Sequence, residues 1–259
     1  MRQILLQTLS PLVTLAVVLV LWEGSVRLFD VPSYIFPTLS QVGDALYRGY
    51  VEGEFWRHLA FTLRSMIVGY AVGSVCAIAL GALLAEVPIF ERFVFPLVIA
   101  LQSMPKVALA PLIIVWFGFG MASKVVLVAV ICFFPIFINV IVGLRSVDPN
   151  LVDMMRAFGT SRPGILWQVK LPHALGPIFA GLQIGIVLGL IGAIVGEFMA
   201  STQGLGFVIQ NAASSLDLGI VFAGLISLAA IGIAGTQLLR WLHGRLVFWD
   251  RKSASTIPV

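Results

Sequence analysis

The stretch Asp148-Pro-Asn-Leu-Val-Asp-Met-Met-Arg-Ala-Phe-Gly-Thr-Ser-Arg-Pro-Gly-Ile-Leu-Trp-Gln-Val-Lys-Leu-Pro172 is a polar island between long uncharged apolar runs. Its local chemistry defines a short helix with clear ends. Asp148 is a good N-cap, and Pro149 follows where a missing N–H costs nothing. Gly159 suits the left-handed conformation that closes a helix. Between them Leu151, Val152, Met155 and Phe158 share one face, with Asn150, Asp153 and Arg156 off it. A second short helix is expected from Pro163, capped by Ser161 or Arg162, with Ile165, Leu166 and Val169 apolar. Leu171-Pro172 is expected to stop it before the next apolar run. Two readings fit an amphipathic helix between membrane spans. It lies in the headgroup plane, or it presents its apolar face to the groove of a soluble partner.

The flanking runs settle the class. Hydrophobic residues are 59% of the 259 and charged ones 11%, whereas soluble domains carry about 25% charged residues. A chain with a mean hydropathy of +1.04 cannot cover a water-facing surface. It is an all-α polytopic membrane protein, a single domain over 1–259 with its core at about 60–245 and its polar loop at about 146–172. Six spans are expected, at 9–28, 66–85, 93–117, 125–144, 174–196 and 218–239, each long enough to cross a hydrocarbon layer of roughly 30 Å. The third is interrupted by Pro105, Lys106 and Pro111. Residues 30–58 form a mixed loop with a short amphipathic helix. Continuous apolar runs exclude an alternating β-barrel, and no internal repeat or low-complexity segment is seen and no cleavable leader is expected.

An even span count puts both termini on one side. With them go Arg2, Arg92, Arg145, Arg156, Arg162, Lys170, Arg240, Arg245, Arg251 and Lys252, while Arg27, Arg48, Arg57, Arg64 and Lys124 fall opposite. The positive-inside rule then places the termini and the Asp148–Pro172 loop in the cytoplasm. The net charge of +4 comes from cations scattered over loops, which excludes a nucleic-acid stripe.

The run Asp153-Met-Met-Arg-Ala-Phe-Gly159 with Leu171-Pro172 resembles the EAA loop of ABC-importer permeases. Pro105-Lys-Val-Ala-Leu-Ala-Pro111, Trp116-Phe-Gly-Phe-Gly120, Gly196-Glu-Phe198, Gly204-Leu-Gly206 and Phe36-Pro-Thr-Leu-Ser-Gln-Val42 are similar to the nitrate/sulfonate/taurine branch. The resemblance runs from about residue 35 to residue 245. One departure is that the family's Glu-Ala-Ala is Asp153-Met154-Met155 here. The resemblance implies a type I importer permease fold in a bacterial inner membrane, and two copies forming the pathway. It also implies a cytoplasmic ATPase dimer that binds the ATP, an extracytoplasmic binding protein and surrounding lipid. Asp153, Met154, Met155, Arg156, Phe158, Gly159 and Ser161 would carry ATPase coupling. The solute would be a nitrate-, sulfonate- or taurine-like anion, or a heterocycle of the thiamine-precursor kind.

Polar groups within spans are costly and are functional candidates by default. Gln102, Lys106, Asn139, Gln183 and Glu197 are the pathway candidates. Hydrogen bonding between helices explains Gln102, Ser103, Asn139 and Gln183 equally well. Glu197 belongs to an outer gate or snorkels to the interface. Stripes of small residues, Gly69-Gly73-Ala77-Gly81 and Gly181-Gly185-Gly189 with Gly192 and Gly196, read as close helix packing. Cys76 and Cys132 read as buried small hydrophobes, and Trp22, Trp241 and Trp249 as interfacial anchors. There is no phosphate loop, no metal-ligand spacing around His58, His173 or His243, and no nucleophile elbow. The chain is expected to be a non-catalytic transport subunit without a cofactor or metal of its own; a stand-alone secondary carrier or channel is the alternative.

Overall fold

The computed structural model describes the backbone of residues 2–250, and the side chains within that range other than those of 2–12, 88–92, 94–95 and 250. Arg2, Arg92, Arg251 and Lys252, four of the cations used for orientation, lie outside those described side chains. The contacts divide the chain into two compact units. One comprises Met1–Phe61 and Gln203–Leu228, the other Thr62–Thr202 and Ala229–Val259.

The described residues form helices joined by short turns, with no strand among them. The helices are α1 (Arg2–Leu28), α2 (Leu39–Tyr50), α3 (Trp56–Glu86), α4 (Pro88–Ser103), α5 (Ala110–Phe117), α6 (Met121–Arg145), α7 (Pro149–Ala157), α8 (Arg162–Ile165), α9 (Leu171–Ala200), α10 (Leu205–Ser214) and α11 (Leu218–Leu246). Four helical stretches are long and apolar enough to cross a membrane: Trp56–Glu86, Met121–Arg145, Arg162–Ala200 and Leu218–Leu246. A fifth arises if Pro96–Ser103 and Lys106–Phe117 are one span, broken by 85°. The break falls at the expected Pro105, because the residue before a proline is driven out of the helical region; Met104 is accordingly extended at ψ 138. The first of the six expected spans lies in α1, whose early side chains are outside the described ones.

In the larger unit, α6 is the central post and the glycine stripes are its seats. A Cβ on Gly69 would meet the Val125 carbonyl and Val128 at 2.6 Å, and one on Gly73 would meet Cys132 Sγ at 2.6 Å. On the other flank, Cβ atoms on Gly181 and Gly185 would reach Asn139 at 2.7 Å and Ile136 at 2.8 Å. α3 therefore rises parallel to α6, and α9 returns antiparallel, both at backbone-contact distance. In lipid, packing of this kind stands in for the hydrophobic drive that holds soluble helices together. Ile136, Phe137, Val140, Ile141 and Ala174 form the buried centre.

Four expectations need correcting. Cys132 is buried but Cys76 is exposed, because it stands off the stripe that faces α6. Leu171-Pro172 does not stop the second short helix. The chain passes from α8 through a π turn at Leu166–Lys170 straight into α9, with the Leu171 N–H bonded to the Leu166 carbonyl. Widening the ladder by one residue relieves the clash a proline makes with the turn before it. The connection between the expected spans at 174–196 and 218–239, which carries no span of its own, contains α10 rather than plain loop. Trp22 is a tertiary anchor rather than an interfacial one. Within the smaller unit its indole donates to the Pro37 carbonyl at 2.9 Å and its ring packs on Phe36 and Phe222.

The short motifs of the smaller unit serve helix ends. In Phe36–Val42, Thr38 and Gln41 form a reciprocal capping box for α2, satisfying two donors that a helix start leaves unpaired. Gly204, at φ +111, opens α10 and donates its N–H to His58 Nδ1 at 3.1 Å.

Candidate functional site

The polar island folds as a helical hairpin at one end of the larger unit. Asp148 caps α7 by accepting from the Asn150 N–H at 2.9 Å. At the other end Gly159 takes φ +78, and the Gly159 and Thr160 N–H groups bond back to the Arg156 and Met155 carbonyls. That pair of bonds is a Schellman closure, which fixes where the helix ends. Ser161 caps α8 by accepting from the Gly164 N–H. Both ends of α7 are thus pinned by local chemistry, giving a short rigid element.

Its apolar residues divide between two faces instead of sharing one. Val152 and Met155 turn inward and pack with Val147, Ile165 and Val169. Leu151, Met154 and Phe158 point outward, Phe158 with 80% of its surface exposed. The inward cluster consumes one edge of the stripe because α8 folds back against α7. Asp153 and Arg156 pair at 3.0 Å beside the outward face.

The hairpin is tied to the spans. Lys170 in the π turn pairs with Glu86, the last residue of α3, at 2.6 Å and partly buried. From α8 through the π turn to the end of α9 the chain is a continuous helical stretch of 39 residues, roughly 58 Å long at helical rise.

That far end is a buried polar cluster. Glu197, 1% exposed, accepts from the Thr62 hydroxyl at 3.1 Å. Lys124, expected between spans on the side opposite the termini, is fully buried in the first turn of α6. Its ammonium donates to the Phe119 carbonyl at 2.6 Å and to the carbonyl of Ala200, the last residue of α9. Gly196 leaves room for the Lys124 stem, 3.2 Å from where a Cβ would stand. A cation at a helix C-terminus satisfies carbonyls that would otherwise lack donors.

The remaining polar candidates are scattered. Lys106 sits at the broken span, donating to the Gln102 carbonyl at 3.0 Å and lying 4.7 Å over the Phe134 ring. Ser103 and Asn139 bond within their own helices, to the Ile99 and Pro135 carbonyls, rather than across to neighbours. Asn139 stands on the α6–α9 seam. Gln183 lines an apolar groove of about 510 Å³ with Ile184, Val187, Thr236 and Arg240.

The family described as the binding-protein-dependent transport system inner membrane component matches residues 69–248. The chain belongs to that family. Among its relatives, the riboflavin transport system permease of Chloroflexus aurantiacus is 37% identical over 92% of this chain and 89% of its own length. The formylaminopyrimidine transport permease of Halalkalibacterium halodurans is 32% identical over 95% and 98%. The taurine transport system permease of Escherichia coli is 31% identical over 91% and 88%. In fold, the chain resembles a subunit of the MetNI methionine ABC transporter in an inward-facing conformation. The TM-score is 0.54 at 22% identity, covering 71% of this chain and 92% of that one. It is a multi-pass membrane protein with the fold of an ABC-importer permease, and it functions as the permease component of such a system.

Within that family frame, the hairpin stands where the resemblance put an EAA loop. Sequence patterns pointed to α7 because capping chemistry is local. They missed Lys124, Thr62 and the Glu86–Lys170 pair, whose partners lie up to 135 positions away. One signal was available: a lysine directly ahead of the 125–144 apolar run, where burial demands a partner.

Proposed function

We propose that two copies of this chain form the translocation pathway of an ATP-driven importer, each docking α7 on a separate cytoplasmic ATPase subunit. The observation that carries this reading is the outward apolar face Leu151–Met154–Phe158 on a helix closed at both ends. It has the form of a helix made to seat in a groove. Asp153 and Arg156 supply polar contacts at the rim, Met155 holds α7 to α8, and Gly159 and Ser161 fix the turn between them.

In this reading, closure of the ATPase pair on ATP pushes the hairpin, and the continuous rod through α9 carries the shift to the Glu197–Lys124 cluster. Thermodynamically this is a population shift between inward-open and outward-open forms, and it needs contacts that differ between them. The cations Arg145, Arg156, Arg162 and Lys170 gather at the hairpin end, which supports a cytoplasmic placement by the positive-inside rule. The membrane is then a bacterial inner membrane with both termini cytoplasmic. The subunit does no bond chemistry and holds no cofactor; the ATPase binds ATP.

An extracytoplasmic binding protein delivers the solute, a small organic anion or heterocycle like those named for the relatives. Gln102 and Lys106 at the span break and Gln183 in the α9 groove are the pathway residues in this proposal. Asn139 and Glu197 take part in helix packing instead.

Co-purification from membranes tests the reading. We expect a phosphate-loop ATPase to accompany the tagged chain, with vanadate-sensitive activity lost when 153–159 is scrambled. Solute flux through the lone chain in liposomes without ATP would instead establish the channel or secondary-carrier alternative.

A further inference from the structure

A cavity of about 230 Å³ opens between the end of α3, the hairpin and the π turn, lined by Ala85, Glu86, Val152, Arg156, Arg162, Ile165 and Lys170. Three cations and one carboxylate face it, an excess of positive charge in a recess large enough for a phosphate group. The Lys170–Glu86 pair builds its wall. Arg156 is held by Asp153, but that pair is exposed on both sides, and exposed pairs are worth little, so the guanidinium is readily re-aimed. Arg162 stands in the first turn of α8 at the mouth.

The surroundings are those of a membrane surface. Leu80 and Leu83 are exposed on α3, about one and two-thirds turns and just under one turn before Glu86, with Leu83 within about 60° of it around the helix axis. They lead from the bilayer into the recess. Trp167, on the π turn between Arg162 and Lys170, is 68% exposed, and tryptophan with that exposure favours the headgroup level. An apolar track, an interfacial indole and a basic recess at the end of a span match an anionic phospholipid. Its acyl chain would lie along α3 and its phosphate among the cations.

We propose that this recess binds the phosphodiester headgroup of an anionic phospholipid of the leaflet at the hairpin end. Guanidinium groups recognise phosphate oxygens through paired N–H donors. Because Arg156 and Lys170 belong to the hairpin and its tether, an occupied site braces α7 against α3. Only the cytoplasmic placement of that leaflet, and the consequence for coupling, rest on the importer reading.

Native mass spectrometry of the purified complex, carrying phosphatidylglycerol and phosphatidylcholine in known ratio, tests it. We expect wild-type particles to retain phosphatidylglycerol over phosphatidylcholine, Arg162→Gln to lower that retention about fivefold, and Arg162→Lys to restore part of it. Activity of Arg162→Gln in pure phosphatidylcholine should match wild type. Equal retention by wild type and Arg162→Gln would overturn the proposal. Titration with inorganic phosphate supplies the second arm: Arg162-dependent phosphate binding without lipid preference would assign the recess to a soluble phosphate and overturn the lipid source. If no ATPase accompanies the particle, the importer reading fails while the lipid measurement still stands or falls alone.

Discussion

Thr62 donates its hydroxyl to the Glu197 carboxylate at 3.1 Å, joining α3 to α9 across 135 positions of chain. Beside them the Lys124 ammonium closes the last carbonyl of α9. Three helices thus meet through buried polar groups at the end opposite the hairpin. Such a cluster is expensive when one member is lost, because the others stay buried without it.

Replacing Lys124 with Ala should therefore destabilise the protein by about 3–5 kcal/mol, read as a lowered thermal unfolding midpoint in detergent. Thr62→Val should cost about 1.5 kcal/mol, the low end for a neutral-to-charged hydrogen bond. A double-mutant cycle on Lys124 and Glu197 should show a coupling of about 1–3 kcal/mol; strict additivity would mean the two act separately.

The seats on α6 make a steric prediction. Gly73→Val would drive its side chain into Cys132 Sγ and the Ala129 carbonyl, which stand 2.6 and 2.7 Å from the first added carbon. Backbone cannot yield as a flexible side chain does, so we expect a loss of at least about 1–3 kcal/mol and poor recovery from membranes. Gly43→Ala, with nothing within 4 Å of the new carbon, is the control that should behave as wild type.

At the hairpin, Gly159→Val places a β-branched residue at φ +78, where L-residues pay about 1–2 kcal/mol. The Schellman closure should open while the spans stay folded. Insertion and thermal stability should change little, and stimulation of the partner ATPase should fall. Phe158→Ala, which removes an exposed ring and no internal contact, should lower stimulation without moving the unfolding midpoint. Normal uptake in both variants would remove α7 from the coupling path.

The clasp between Glu86 and Lys170 predicts a charge-reversal rescue. Glu86→Lys alone puts two ammonium groups together at a partly buried site and should impair transport, and Lys170→Glu should do the same with carboxylates. The double reversal should recover much of the activity in an uptake assay. Recovery no better than the sum of the single losses would mean the pair does not tether the hairpin.

The sequence by itself determined what depends on neighbours in the chain. Charge-free runs of spanning length dictated helices in lipid, since no other element with continuous apolar runs satisfies its own backbone there. Asp148, Pro149 and Gly159 set the ends of α7, and Pro105 the break in the third span, because caps and proline effects act within a turn. The glycine stripes announced close packing, but the partner they share is visible only in the folded molecule. Tertiary structure alone decided that Lys124 is buried, that a π turn carries the helix on into Leu171-Pro172, and that the apolar stripe of α7 splits into an anchored edge and an exposed face. Each of these depends on which distant helix supplies a carbonyl, a carboxylate or a surface. Such partners are chosen by packing α3 and α9 against α6, and chain-local pattern carries no record of that choice.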